Sequence, residues 1–471
     1  MPPLARLLQL RLLPVLCCLT CSRCLRSPAA AVATTGRGRE LTAAAAAGPR
    51  PVVPAGGRTA RCSVTDFGAK GDNRTEDTSA VQEALDACDA VVFPTPGKYL
   101  LRPVVFRHNN LAVIIEAGAT VVAWGDIDTW NTTSPSIQPL FRQHIDPPGV
   151  LTNFSMSGGG VIDGQGWRWW PFMKTRSRPK LLQIVHADGL VISNLTFRDS
   201  PSFHIAIRGN NMEIAHSRVE ANIESCLGYD HAPNTDAFNI GGHNIHLHDL
   251  WAHNGDDCVP TNPGPDGTTS NVLVERVHCE CGTNGGVVIV PGSRGKPPLD
   301  WQAGGPDLKP KLVTNVVFRH MDVHHTDQGA GFKISEAFEN TTGMAQNITW
   351  EDIVIYKPRN TPLYLNVFTE DAAEKACKNP ETGAARAHWL TAKDFTFKDI
   401  VATIEPGGFP GCFNCGPTRP CEGLRFDNVT IRGGNASSRF KCFHAEGTSA
   451  RSFPKPCLRP PATTTSVSGV A

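Results

Sequence analysis

A chain of 471 residues with 40% apolar and 19% charged side chains can bury a large core, yet it carries less charge than the roughly one-quarter usual in globular proteins. A formal net charge of +1 excludes nucleic-acid binding through a concentrated basic stripe, and electrostatics alone names no partner.

At the N-terminus, Arg6 and Arg11 stand around a Leu-rich run from Leu7 to Leu19, and small residues follow at Ala29 to Ala33, the layout of a secretory signal peptide. Residues 1–33 are therefore expected to be removed on export. The run falls short of the ~20 residues of a membrane span, so no membrane association is expected afterwards; an uncleaved signal acting as an anchor is the alternative. Residues 34–60 are Ala, Gly, Pro and Arg with almost no large apolar side chain and read as a disordered spacer. The Thr- and Pro-rich stretch 458–471 reads as a disordered tail, which leaves 61–457 as one folded domain, expected to be monomeric.

Four cysteines, Cys17, Cys18, Cys21 and Cys24, lie in the leader, and the even set from Cys62 to Cys457 suits disulfides formed in an oxidising compartment. Cys412-x-x-Cys415 with Cys421 has a second reading as a zinc site, although no histidine pair at ligand spacing completes it. Sequons at Asn73, Asn131, Asn153, Asn194, Asn340, Asn347, Asn428 and Asn435 agree with a secreted protein, extracellular or held in a cell wall.

Helical periodicity is scarce. The one good stretch, Asp77 to Asp89, places Val81, Ala84, Leu85 and Cys88 on one face, and such a helix can cap the open first coil of a solenoid against edge pairing. Beyond it a coarse repeat recurs, each copy opening on Gly or Asn and continuing in alternating apolar residues: Gly189 to Leu195, Asn211 to Ser217, Asn244 to Leu250, Asn271 to Val277, Asn315 to Met321 and Asn347 to Ile353. A second short strand follows in each copy, at Asp236–Ile240, Asp256–Pro260, Gly286–Val290, Gly331–Ser335 and Pro362–Val367. A coil this short cannot bury its own apolar side chains. Stacked on neighbours ~4.8 Å away, equivalent strands form parallel sheets along one axis, an all-β parallel β-helix.

With the second strands in register, Asp236 opens one and Asp256-Asp257 the next, so three carboxylates gather on adjacent coils. Like charges this close raise one another's pKa, leaving one group protonated as a general acid while its neighbours stay ionised as bases, the division of labour that glycoside hydrolysis needs. Taken singly, Asn234-Thr-Asp236 reads as an Asx turn and Gly255-Asp-Asp257 as a solvated corner. Their recurrence on consecutive repeats favours catalysis. Clustered aspartates also suit calcium, but Gly-rich calcium-binding repeats are absent, and no metal is expected.

Val64-Thr-Asp-Phe-Gly-Ala-Lys-Gly-Asp72, Gly160-Val-Ile-Asp-Gly164, Ser200-Pro-Ser-Phe-His204, Asn234-Thr-Asp236 and Asn254-Gly-Asp-Asp-Cys258 resemble the motifs of glycoside hydrolase family 28, the polygalacturonases and their pectinase relatives. The resemblance covers nearly all of Cys62 to Cys457, and its last two motifs together are family-specific. It implies a right-handed, pectin-lyase-like β-helix that hydrolyses α-1,4-galacturonosyl linkages of pectic polysaccharide with inversion and without a cofactor. Asp256 would protonate the glycosidic oxygen, Asp236 and Asp257 would orient and deprotonate water, and Asn234 would contact substrate. It also implies a Cys258–Cys281 disulfide on the catalytic coil and Cys62–Cys88 at the cap.

Two family signatures are altered. Where the family has Gly-His-Gly shortly after a cysteine, this chain reads Cys281-Gly-Thr-Asn-Gly-Gly286, and Asn284 is either a hydrogen-bonding stand-in for the imidazole or a turn residue. Where the family has Arg-Ile-Lys to bind the substrate carboxylate, this chain has Gly331-Phe-Lys333, keeping only the lysine as a point charge. Arg294 and Lys296 are candidate compensating cations. Trp301, in the Pro- and Gly-rich insertion from Lys296 to Lys311, and the cluster Trp167, Trp169 and Trp170 each read as sugar platforms or as packing. Rhamnogalacturonan hydrolases of the family also lack Gly-His-Gly, so a decorated-pectin hydrolase is the first alternative. A β-helix that binds wall polysaccharide without cutting it is the second, and a calcium-dependent lyase the third.

Overall fold

The asparagines that open the sequence repeats are corners rather than strand starts. In a computed structural model, Asn211, Asn244, Asn271, Asn315 and Asn347 have φ between 53° and 57°, a left-handed conformation that Asn tolerates because its short amide bonds locally. The structure describes residues 58–461 apart from 131–136, 146–148, 173–175, 224–225, 227–231, 284–286, 290–310, 335–342 and 370–389. Five residues after each corner, His216, Asp249, Arg276, His320 and Asp352 repeat the turn with φ between 49° and 55°. Between the two corners alternate side chains point inward, so Met212 and Ile214, Ile245 and Leu247, Val272 and Val274, Val316 and Phe318, and Ile348 and Trp350 are buried.

Each segment pairs in parallel with its equivalent on the next coil, Ile245 opposite Val272, Val272 opposite Val316, Val316 opposite Ile348 and Ile348 opposite Phe395. The corner amides follow the same register: Asn244 Nδ2 donates to Asn211 Oδ1 at 3.1 Å, Asn271 to Asn244 at 3.3 Å and Asn347 to Asn315 at 2.8 Å. Asparagine thus recurs because it both adopts the corner and bonds its own copy one coil away. Inside, equivalent rings stack along the axis, Phe318 on Trp350 at 5.7 Å, Trp350 on Phe397 at 5.0 Å and Phe397 on Phe426 at 4.8 Å.

Long strands such as Phe238–His253, Thr268–Glu280, Lys311–His324 and Gly343–Tyr356 run through both corners in one continuous sheet. A second, five-stranded sheet holds Val287–Ile289, Gln328–Ile334, Thr361–Thr369, Gly411–Asn414 and Lys441–Phe443 in chain order, and it absorbs the later short strands of the sequence repeat. This is the right-handed parallel β-helix. The N-terminal helix spans Thr78–Ala87 with Val81, Ala84 and Leu85 buried, and Cys62–Cys88 is a disulfide. The ladder reaches further than apolar composition indicated: Thr59 pairs with Cys88, and Arg459 exchanges backbone bonds of 2.9 Å with Ala445 and Gly447. Backbone pairing asks for extended chain and not for large side chains.

The expected Cys258–Cys281 bond is replaced by Cys258–Cys279 and Cys226–Cys281. Cys279 is the inward residue near the end of its strand and fully buried beside Cys258, whereas Cys281, also buried, follows the strand in a left-handed turn with a φ of 67° and is bonded to Cys226. The zinc reading is also overturned, since Cys415 is bonded to Cys421 and Cys412 is itself in a disulfide.

Candidate active site

The three aspartates lie just outside regular strands, yet backbone bonds hold them in register. His204 N–H donates to Asp236 O, Ala237 N–H to Asp257 O and Thr283 N–H to Asp256 O, each at 2.9 Å, which stacks four successive coils at this level. Asn234 takes the left-handed turn before Asp236, with φ 58° and its carbonyl accepting from the Ser202 hydroxyl at 3.4 Å. Thr235 is buried; its hydroxyl donates to Ala232 O at 2.6 Å and accepts from Gly255 N–H at 2.9 Å. Gly255 is required by this close approach, because a Cβ there would meet Ala232 O at 2.2 Å. The Asn254 amide donates toward the carbonyls of Thr235, Asp256 and Asp257 at 2.8 to 3.1 Å, tying the two acidic turns together.

Asp236, Asp256 and Asp257 are all buried, at 4%, 7% and 5% exposure, so none has its charge diluted by bulk water. Lys333 reaches Asp257 Oδ1 at 2.9 Å. The Thr283 hydroxyl lies 2.8 Å from Asp256 Oδ1 and 2.6 Å from Asp257 Oδ1. On the third carboxylate, Asn239 Nδ2 donates to Asp236 Oδ2 at 2.7 Å, while Asn239 Oδ1 accepts from Arg208 at 2.7 Å and from Asn262 at 3.0 Å. Burial pushes the Asp236 carboxyl well above its ordinary range, and the charges of Asp256 and Asp257 add to that; Asn239 and Lys333 oppose it. A crowded set of this kind retains a proton where a lone aspartate is ionised, while the ammonium beside Asp257 favours its charged form.

His204 completes the support. Its Nδ1 donates to the carbonyls of Thr235 and Asp236 at 3.2 and 3.3 Å, and its Nε2 accepts from Ser200 N–H at 3.2 Å. Desolvation lowers its pKa to about 4, so the ring is neutral near pH 7 and in the one tautomer these partners allow.

Sequence reasoning thus placed Asp236, Asp256, Asp257 and Asn234 together, and Lys333 joins them, though turned onto Asp257. Asn284, Arg294, Lys296 and Trp301 lie outside the described residues. Of the tryptophan cluster, Trp169 and Trp170 are buried packing residues, Trp169 edge-on to Trp130 at 5.8 Å, whereas Trp167 is 54% exposed with the Arg168 guanidinium 4.3 Å above its ring. Phe332 is core, and a Cβ on Gly331 would meet Tyr364 O at 2.0 Å, so an arginine has no place there. Sequence reasoning missed Thr283, Asn239 and Arg359. Arg359 bonds Asp327 Oδ1 and His325 O at 2.7 Å and the carbonyls of Cys281 and Gly282 at 3.2 Å, holding the coil that presents Thr283. The only available signals were position: Thr283 directly precedes Asn284, and Asn239 sits three residues after Asp236.

Comparison with known proteins agrees with this architecture. The family described as Glycosyl hydrolases family 28 matches residues 143–451, and Rhamnogalacturonase A/epimerase, pectate lyase-like, matches 61–121. A polygalacturonase of Prunus persica is 27% identical over 400 residues, covering 82% of this chain and 90% of its own. Two solved structures share the fold: an exopolygalacturonase from Thermotoga maritima (TM-score 0.61, 15% identity, 86% of this chain and 93% of that one) and an endo-xylogalacturonan hydrolase from Aspergillus tubingensis (TM-score 0.56, 19% identity, 83% and 99%). The chain belongs to family 28 of the glycosyl hydrolases, enzymes that hydrolyse glycosidic bonds.

Proposed function

We propose that this enzyme is a polygalacturonase-type hydrolase that cleaves α-1,4-galacturonosyl linkages of pectin with inversion. The observation that carries the reading is the buried trio Asp236, Asp256 and Asp257 on stacked coils, with Lys333 Nζ 2.9 Å from Asp257 Oδ1. Asp256 protonates the leaving oxygen, and Asp257, with Lys333 at 2.9 Å, and Asp236 orient the attacking water and take its proton. The Prunus persica relative bears the polygalacturonase name. Export through a leader at 1–33, followed by a spacer and by action as a monomer in a wall, is part of the same proposal, and the disulfides support an oxidising destination.

A decorated-pectin hydrolase is the second reading, favoured by one observation: the arginine position of the Arg-Ile-Lys signature is a glycine packed against Tyr364 O, and its lysine faces Asp257. Incubation with polygalacturonate and with rhamnogalacturonan, followed by reducing-end assay and anomer-resolved NMR, decides between them. Asp256→Asn is expected to lower kcat ~10²-fold or more with folding retained, since the amide is isosteric but has no acidic proton. Retention of more than about a tenth of the activity overturns the role of Asp256.

A further inference from the structure

Thr283 Oγ1 is buried between Asp256 Oδ1 at 2.8 Å and Asp257 Oδ1 at 2.6 Å. A hydroxyl carries one hydrogen and can donate to only one of these oxygens. At such separations the other carboxyl must carry a proton of its own and donate it to Oγ1, because two oxygens with no proton between them repel at this distance. The geometry therefore fits a pair that shares a single proton, protonated Asp256 donating to Thr283 and Thr283 donating to ionised Asp257, where Lys333 Nζ lies 2.9 Å from the same Oδ1.

We propose that Thr283 is a proton bridge that resets the acid and the base after each turnover; this rests on the inverting reading above. Inversion leaves Asp256 ionised, its proton given to the leaving group, and leaves a proton from water on Asp257. The Asp257 Oδ1–H bond then breaks as a bond forms to Thr283 Oγ1, and the Thr283 O–H bond breaks as one forms to Asp256 Oδ1. One proton has moved from base to acid, Thr283 is unchanged, and no electrons or further reactant are needed. The ammonium beside Asp257 favours its ionised form and so drives the transfer in that direction. Thr283 is a positioning residue, acting through the two carboxylates.

The same bridge stabilises the singly protonated pair over both the doubly protonated and the fully ionised states, and it therefore widens the pH range of activity. The test compares wild type, Thr283→Val and Thr283→Ser on the pectic polymer that wild type cleaves fastest, across pH, with circular dichroism to check each fold. Thr283→Val is expected to lower kcat about ten- to a hundredfold at nearly unchanged KM and to move both limbs of the pH profile inward, and Thr283→Ser to restore most of kcat and the width. If Thr283→Val does not fold, Thr283→Cys, similar in volume and a weak donor, takes its place. A valine variant with wild-type kcat and profile overturns the bridge, as does a serine variant as impaired as valine. Wild type inactive on every pectic polymer overturns instead the hydrolase reading beneath it.

Discussion

His204 is the residue whose failure has the most calculable effect on the site. Its imidazole is buried and neutral, with its pKa lowered from 6.5 to about 4 by desolvation. A base whose folded pKa is depressed binds fewer protons folded than unfolded, so stability is lost as pH falls from the unfolded value toward the folded one. With 1.36 kcal/mol per pKa unit, the loss amounts to about 2 kcal/mol at pH 5 and about 3 kcal/mol at pH 4. Substitution by asparagine keeps a donor near the Nδ1 position but removes the titrating base and the acceptor for Ser200 N–H. At pH 7 His204→Asn is expected to be less stable than wild type by about 1–3 kcal/mol, the cost of an unsatisfied buried donor. Between pH 6.5 and pH 4 that difference should shrink by about 3 kcal/mol, because only wild type loses this stability. Urea titrations of both proteins at pH 7, 5 and 4 measure it. A stability difference that does not change with pH refutes the assignment of His204 as a buried neutral base.

Two further predictions concern the altered signatures. Lys333→Met is expected to lower kcat by about ten- to a hundredfold with KM little changed, since removing a hydrogen bond to a charged group costs ~1.5–3 kcal/mol; a raised KM at constant kcat would show that the lysine binds substrate instead of serving Asp257. Gly331→Ala is expected to cost about 1–3 kcal/mol or more by overpacking against Tyr364 O, and an unchanged denaturation midpoint would show that this contact does not exist.

The fold was legible because its signal is local. Alternation of apolar residues marks the inward faces of Ile245 and Leu247 or Val272 and Val274, and Asn244 or Asn271 marks the corner, whatever the length of the loop that follows. The aspartates were legible for the same reason, each standing a few residues from a recognisable strand. Their partners were not. Thr283 comes 27 residues after Asp256, and its hydroxyl meets both carboxylates only because a loop of unpredictable length returns the chain one coil higher. The mistaken disulfide has that cause too: Cys279 lies within its strand and Cys281 just past its end in a left-handed turn, and those two residues decide which one reaches Cys258.

The altered signatures form one physical arrangement. Three carboxylates at 4% to 7% exposure cannot all be ionised without compensation. A titratable imidazole is absent from the Gly-His-Gly position in this chain, and the buried imidazole beside the aspartates, His204, bonds backbone carbonyls and the Ser200 amide. The charge of Asp257 is instead met by Lys333, and the proton between Asp256 and Asp257 by the hydroxyl of Thr283. A lysine held at 2.9 Å from Asp257 has part of its charge already neutralised there. An acidic sugar in that subsite would then need other cations to be recognised, whereas a neutral sugar would need none. The division of Lys333→Met effects between kcat and KM, measured on polygalacturonate and on rhamnogalacturonan alike, therefore reports the preferred backbone as well as the role of the lysine.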